Sequence, residues 1–136
     1  MAKQLQLVVY EGYLTADPVM RFTPSGTPVT NFRMGSNDTY KNKEGENVDQ
    51  VTWIKVTAWG PQAEVLNEIC HKGTHVIVTG KLRPGENGSP EVFQMKNGEY
   101  GASYEITAQP FGVRVLTTKG ESGRQAEEED YNGLPY

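Results

Sequence analysis

The apolar positions of this chain alternate with polar ones over several short stretches, the period of half-buried strands. Residues 4–14 (QLQLVVYEGYL) are rich in β-branched and aromatic types and run into Thr15-Ala16-Asp17-Pro18, a strand followed by a loop. Thr23-Pro24-Ser25-Gly26-Thr27-Pro28 is turn chemistry, and residues 29–37 (VTNFRMGSN) form a second strand. Residues 41–49 are polar, carry Gly45 and read as a hairpin loop; residues 50–59 (QVTWIKVTAW) are the clearest strand. The period then changes. Gly60 breaks the strand, and Pro61 suits a first helical position, where its missing N–H is not needed. Val65, Leu66, Ile69 and Cys70 make one apolar helical stripe, and Gly73 is placed to cap it. Residues 74–83 are a fourth strand. Residues 84–102 hold four glycines and two prolines, with room for a short hairpin through Phe93-Gln94-Met95. Residues 103–109 and 111–116 form a fifth strand and an extension, interrupted by Pro110. Past Leu116 no apolar period survives.

Five strands with one short helix after the third do not suit a parallel α/β sheet, which needs a crossover helix for most strands. They suit an all-β, five-stranded Greek-key barrel of the OB type, with a generic small barrel or sandwich as the alternative. An OB barrel binds its ligands on the face of strands two and three and with the loops between strands 1–2 and 4–5. Those two loops, 15–28 and 84–102, are the long ones here. The domain reading is therefore a barrel over residues 1–116 and a disordered acidic tail over 117–136.

Alternation also sorts the faces of strands two and three. Thr52, Ile54, Val56 and Ala58 make an inward set with Phe32 and Met34. The opposite set holds Val51, Trp53, Lys55, Thr57 and Trp59 on one strand, and Asn31, Arg33, Gly35 and Asn37 on the other, with Tyr40 just beyond. Two indoles around an ammonium, beside a guanidinium, match what a single nucleic-acid strand offers. Unpaired bases stack on aromatics with little regard for sequence, and cations meet the phosphates. The alternative is that Trp53 and Trp59 pack beneath the helix or a loop, since tryptophan is a favoured strand residue and is highly buried on average. Tyr40 could equally anchor a loop, and Phe93 could be an apolar plug.

Composition narrows the classes. At 36 % apolar and 22 % charged, the 136 residues read as one globular domain with a short appendage. The longest apolar run, Leu7-Val8-Val9-Tyr10, is far below the roughly 18 residues a membrane-spanning helix needs. No secretory signal is expected behind Met1, and Cys70 as the single cysteine excludes an internal disulfide. The expected compartment is the cytoplasm, with nucleoid association if the partner is DNA. Two sequons, at Asn37 and Asn87, are expected to be chance matches. The net charge of −4 is unevenly spread. Residues 1–120 hold 12 of the 13 basic and 12 of the 17 acidic residues, so the body is neutral and the whole excess lies in the tail.

The ordered set Gly12-Tyr13-Leu14, Asp17-Pro18, Arg21-Phe22, Gly26 and Tyr40 resembles the start of a bacterial single-stranded DNA-binding protein. Trp53, Trp59-Gly60, Ala63-Glu64, Lys72-Gly73, Val76, Gly80 and Leu82-Arg83 continue the likeness, which covers about residues 5–116. The resemblance implies an OB fold, usually a homotetramer, that wraps single-stranded DNA without sequence preference during replication, recombination and repair. It implies base stacking on Tyr40, Trp53, Trp59 and Phe93. Arg33, Lys55, Lys72 and Arg83 are the phosphate candidates. The tail, with Glu128, Glu129 and Asp130 followed by Leu134-Pro135-Tyr136, resembles the acidic tip through which such proteins recruit replication and repair enzymes. Two departures stand out: residues 84–91 carry two acids and no base, and Tyr136 stands where Phe is usual. Weaker or more salt-sensitive DNA binding is the expectation from the neutral body.

An enzyme is not expected, nor a cofactor or metal. Cys70, His71 and His75 lie close in sequence, but Gly73 should end the helix between them, Cys70 belongs to the apolar stripe, and His75 falls on the outward set of its strand. Two non-DNA readings stay open: an OB module that buries these aromatics against a protein partner, or one that binds oligosaccharides. Salt dependence separates both from DNA binding.

Overall fold

The computed structural model describes residues 2–117. In chain order the elements are β1 (Val8–Leu14), β2 (Val19–Phe22), β3 (Pro28–Lys41), β4 (Asn47–Trp59), α1 (Pro61–Ile69), β5 (His75–Leu82), β6 (Val92–Gln94), β7 (Tyr100–Ala102) and β8 (Tyr104–Thr117). The sheet runs β1-β5-β8-β4-β3-β2, and β1 also pairs with β3 at Tyr13–Gly35 and Leu14–Met34. That last pairing closes five strands into a barrel, with β2 hung on the outer edge of β3. Closure removes most of the open sheet edge that a five-stranded sheet would otherwise expose. The closed five-stranded barrel with one short helix is the OB architecture expected from the sequence.

The inward set of the alternation is the core. Phe32 and Met34 on β3 meet Ile54, Val56 and Ala58 on β4, all buried, with Val76, Val78 and Ile106 from β5 and β8 filling the far side. Thr30, also buried, donates from Oγ1 to the carbonyl of Ala63 at 2.6 Å, which ties α1 across one end of the barrel.

Several boundaries differ from the sequence reading. The first strand begins at Val8, and the loop expected over 15–28 contains β2, whose four residues pair with Asn31–Pro28 of β3. The hairpin loop expected over 41–49 shrinks to a turn at Asn42–Glu46, because β3 and β4 pair continuously out to Lys41–Asn47. The Asn42 side-chain carbonyl accepts from the backbone N–H of Glu44 and Glu46, and Gly45 takes φ +80°, so this turn is closed locally. Helix α1 starts at Pro61 as expected but ends at Ile69, with Cys70 as its cap, so Gly73 (φ +92°) shapes the following turn instead. The buried stripe is Ala63, Leu66 and Cys70, whereas Val65 and Ile69 are exposed. Pro110 does not divide the last strand. β8 continues to Thr117 across a register shift against β5, with Phe111 at φ +57° in the irregular stretch.

His75 also departs from expectation. Its pleat faces outward, yet it is only 3 % exposed. The Tyr13 ring stacks on it with centroids 4.4 Å apart, and its Nε2 lies 2.7 Å from Glu11 Oε2. Cys70 sits in the core, where burial pushes its thiol up to about 11, away from the thiolate a nucleophile or metal ligand needs.

Candidate nucleic-acid interface

The register of β3 on β4 builds the outer face as successive cross-strand pairs: Trp53 opposite Gly35, Lys55 opposite Arg33, Thr57 opposite Asn31, and Trp59 opposite Val29. Pairs two residues apart along a strand are about 6.8 Å apart, so the two indoles stand roughly 20 Å from one another. Both are open to solvent, Trp53 at 54 % and Trp59 at 49 % exposed. The alternative that they pack beneath the helix or a loop therefore does not hold for this chain. Between them the face is polar: Thr57 donates from Oγ1 to Asn31 Oδ1 at 2.8 Å, and Arg33 and Lys55 sit side by side.

Trp53 owes its orientation to a residue with no side chain. A Cβ built on Gly35 would lie 2.8 Å from Cζ3 and 3.3 Å from Cε3 of the Trp53 ring. The indole thus lies across the backbone of Gly35, with its other side free. A glycine within a strand often marks such a close approach. That signal was present in the sequence, because Gly35 falls among the outward positions opposite the tryptophan.

The cationic row extends beyond β3 and β4. Parallel pairing of β4 with β8 sets Lys55 beside Glu105, and the Arg83 backbone N–H donates to the Glu105 carbonyl at 2.9 Å. One carboxylate oxygen, Glu105 Oε1, then faces Lys55 Nζ at 3.9 Å and Arg83 Nη1 at 3.6 Å. These groups line a groove of about 200 Å³ with Ser103, Glu91 and Phe93. Phe93 is carried there by the β6–β7 hairpin, paired Val92–Ala102 through Gln94–Tyr100, so the expected short hairpin exists and Phe93 is half exposed on it. Glu105 had no local signal: nothing in its own stretch of sequence announces that Lys55 and Arg83 will meet there.

The structure thus brings Arg33, Lys55, Arg83 and Phe93 together beside the indole-bearing face. It treats the other two candidates differently. Tyr40 has the parity of Phe32 and Met34, opposite to Arg33, along an unshifted register. It is exposed because the ends of β3 and β4 project beyond the barrel as a two-stranded arm, so it does not share the Trp53 face by simple alternation. Lys72 stands in the turn after α1, where its backbone N–H donates to Asp17 Oδ1 at 2.8 Å, and so belongs to the β1–β2 loop region. The tail residues Glu128, Glu129, Asp130, Leu134, Pro135 and Tyr136 lie outside the described residues.

A closed OB barrel with an exposed aromatic and basic face on its second and third core strands defines a class of ligand-binding module. The comparisons with known proteins make it more particular. The family model described as "Single-strand binding protein family" matches residues 5–113. A single-stranded DNA-binding protein of Aquifex aeolicus is 36 % identical over 126 residues, covering 93 % of this chain and 80 % of that one. One from Wolinella succinogenes is 28 % identical over 125 residues, covering 92 % and 72 %. Among solved structures, a deletion mutant of the single-stranded DNA binding protein from Thermus aquaticus superposes with a TM-score of 0.65 at 28 % identity, over 89 % of this chain and 55 % of that chain. A small single-stranded DNA-binding protein from Streptomyces coelicolor shares the fold, with a TM-score of 0.64. The chain belongs to the single-strand binding protein family.

Proposed function

We propose that this chain binds single-stranded DNA without sequence preference along the outer face of β3 and β4. Bases stack on Trp53 and Trp59, with Phe93 extending the platform into the groove; Tyr40, on the opposite pleat of the projecting arm, offers a separate stacking surface. Phosphates meet Arg33, Lys55 and Arg83, and Lys72 at the β1–β2 loop. The observation that supports this best is the pair of solvent-exposed indoles about 20 Å apart on one face, with Arg33 and Lys55 between them. Two half-exposed indoles on the same face as Arg33 and Lys55 offer flat surfaces for stacking beside cations for phosphates. Stacking is worth about 1–3 kcal/mol per base and is indifferent to base identity, which suits sequence-independent binding.

We further propose a role in replication, recombination and repair, with residues 117–136 as a tail that recruits partner enzymes through Glu128–Asp130 and Leu134-Pro135-Tyr136. No catalytic role is assigned. A homotetramer is the proposed assembly: among the described residues, Val8–Gly12 pair on one side only, with β5, and Leu7 and Val9 are exposed beside that edge. Light scattering of the full chain tests the assembly, and a monomer at micromolar concentration refutes it.

The decisive experiment is titration with oligo-dT, followed by tryptophan fluorescence at two salt concentrations. Strong quenching that saturates and weakens with salt is expected. Binding without quenching would move the DNA off the indoles. Absence of binding at low salt would favour the protein-interaction reading, in which the same face is covered by a partner.

A further inference from the structure

The shared carboxylate of Glu105 stands where a phosphate is expected to go. It is one acid between two cations, on the floor of the groove that Phe93 overlooks. We propose that Glu105 is a built-in competitor for the DNA backbone: its carboxylate holds Lys55 and Arg83 in the free protein and is displaced by a phosphate when a strand enters the groove. This rests on the reading of the β3–β4 face and groove as the DNA site.

Two features favour competition over positioning. A carboxylate that aims a cation does so through short charge-assisted bonds, about 2.7–2.9 Å and often bidentate. Here a single oxygen lies 3.6 and 3.9 Å from its two partners, beyond hydrogen-bond distance. Both cations also reach solvent, Lys55 at 43 % and Arg83 at 56 % of the side chain, so neither depends on Glu105 alone to keep its place. The carboxylate itself is only 15 % exposed. It is the member that loses when the cations turn to a phosphate, because a partly desolvated charge is left with fewer partners. That loss is a cost charged to DNA binding, and removing the acid removes it. Glu91, the other acid lining the groove, adds like charge there without a contact to either cation at ion-pair distance.

The test is Glu105→Gln in the full chain, an isosteric change, titrated with oligo-dT over a range of salt. Affinity should rise about two- to fivefold at low salt, the scale of an exchanged exposed ion pair. The slope of log K against log salt should steepen by up to about 0.7 for each cation released to neutralise a phosphate. Weaker binding at every salt with an unchanged slope would mean that Glu105 aims the cations, and would overturn the proposal. Unchanged affinity and slope would also overturn it. Glu91→Gln is the control: an equal gain there would make the effect one of general charge and not of ion-pair exchange. If Glu105→Gln lowers the melting temperature sharply, Glu105→Asp, which withdraws the carboxylate by one methylene, should give the same direction with a smaller gain. Failure of the underlying site reading is distinguishable, because Lys55→Gln and Trp53→Ala would then leave affinity untouched.

Discussion

Gly35→Ala isolates the seat of Trp53 from the tryptophan itself. The added Cβ would lie 2.8 Å from ring atom Cζ3, and ordinary contact begins near 3.4 Å, so the ring must retreat by about 0.6 Å or tilt. The obstacle is the edge of an exposed side chain, not backbone, and Gly35 does not adopt a positive φ, so the fold can absorb the change. Glycine also weakens a strand by roughly 0.5–1 kcal/mol relative to alanine, which offsets part of the strain. The melting temperature should therefore move little. DNA binding should not be spared. Trp53→Ala removes one stacking platform, worth about 1–3 kcal/mol, or roughly 5- to 150-fold in Kd. Gly35→Ala should cost an intermediate amount, with a smaller fluorescence quench at saturation, because the indole no longer lies flat across the β3 backbone. The assay is oligo-dT titration of wild type, both single variants and the double variant, with thermal melts alongside. In the double variant, Gly35→Ala should add little to the loss from Trp53→Ala, since its closest contact is that ring and its other neighbour, Val51 Cγ1 at 3.3 Å, has to give only slightly. Wild-type affinity and quenching in Gly35→Ala would refute the seat, and so would an undiminished loss from Gly35→Ala in the Trp53→Ala background.

Arg33→Gln should reduce the slope of log K against log salt by about 0.7, with little change in stability, as read from titrations at four or more salt concentrations. Gly80→Ala should be severe, because its Cβ would meet the Thr107 carbonyl oxygen at 2.2 Å; a clear drop in melting temperature is expected, and an unchanged melt would contradict the close β5–β8 approach. Met34→Ala empties a fully buried core position and should cost about 2–5 kcal/mol in denaturant unfolding. Burial pushes the Cys70 thiol up to about 11, from an ordinary value near 9.0, so the neutral form favours the folded state. That contribution is complete below pH 9 and is lost as pH rises from 9 toward 11; alkylation of native protein at pH 8 should be slow, and rapid labelling would contradict the burial.

Much of this protein is local chemistry, and local chemistry is legible along a chain. Side chains alternate with a period of two along any strand, so the division of β4 into Ile54, Val56 and Ala58 against Trp53, Lys55 and Trp59 holds in any fold that pairs this strand with one face buried. Pro61 and the break before it placed the helix start for the same reason. Element ends were less legible. Whether β3 stops at Asn37 or runs to Lys41 depends on a partner strand being present to receive its hydrogen bonds, and whether the helix ends at Ile69 depends on Leu66 and Cys70 finding the barrel end. Short β2 was invisible because its pairing belongs to β3.

The outward face could be named from the sequence, but not whether anything covers it. His75 and Trp53 both fall on outward pleats; one is covered by Tyr13 and Glu11, the other is open. Tyr40 shows the same limit, since its side of the arm follows from parity and register together. The meeting of Lys55, Arg83 and Glu105 was decided wholly by tertiary structure. Their positions are separated by up to 50 residues, and only the parallel β4–β8 pairing within a closed barrel puts one carboxylate between two cations. Alternation is a property of the backbone and repeats wherever the chain is extended; coverage and charge proximity are properties of which strands become neighbours, and those are chosen by the packing of the whole core.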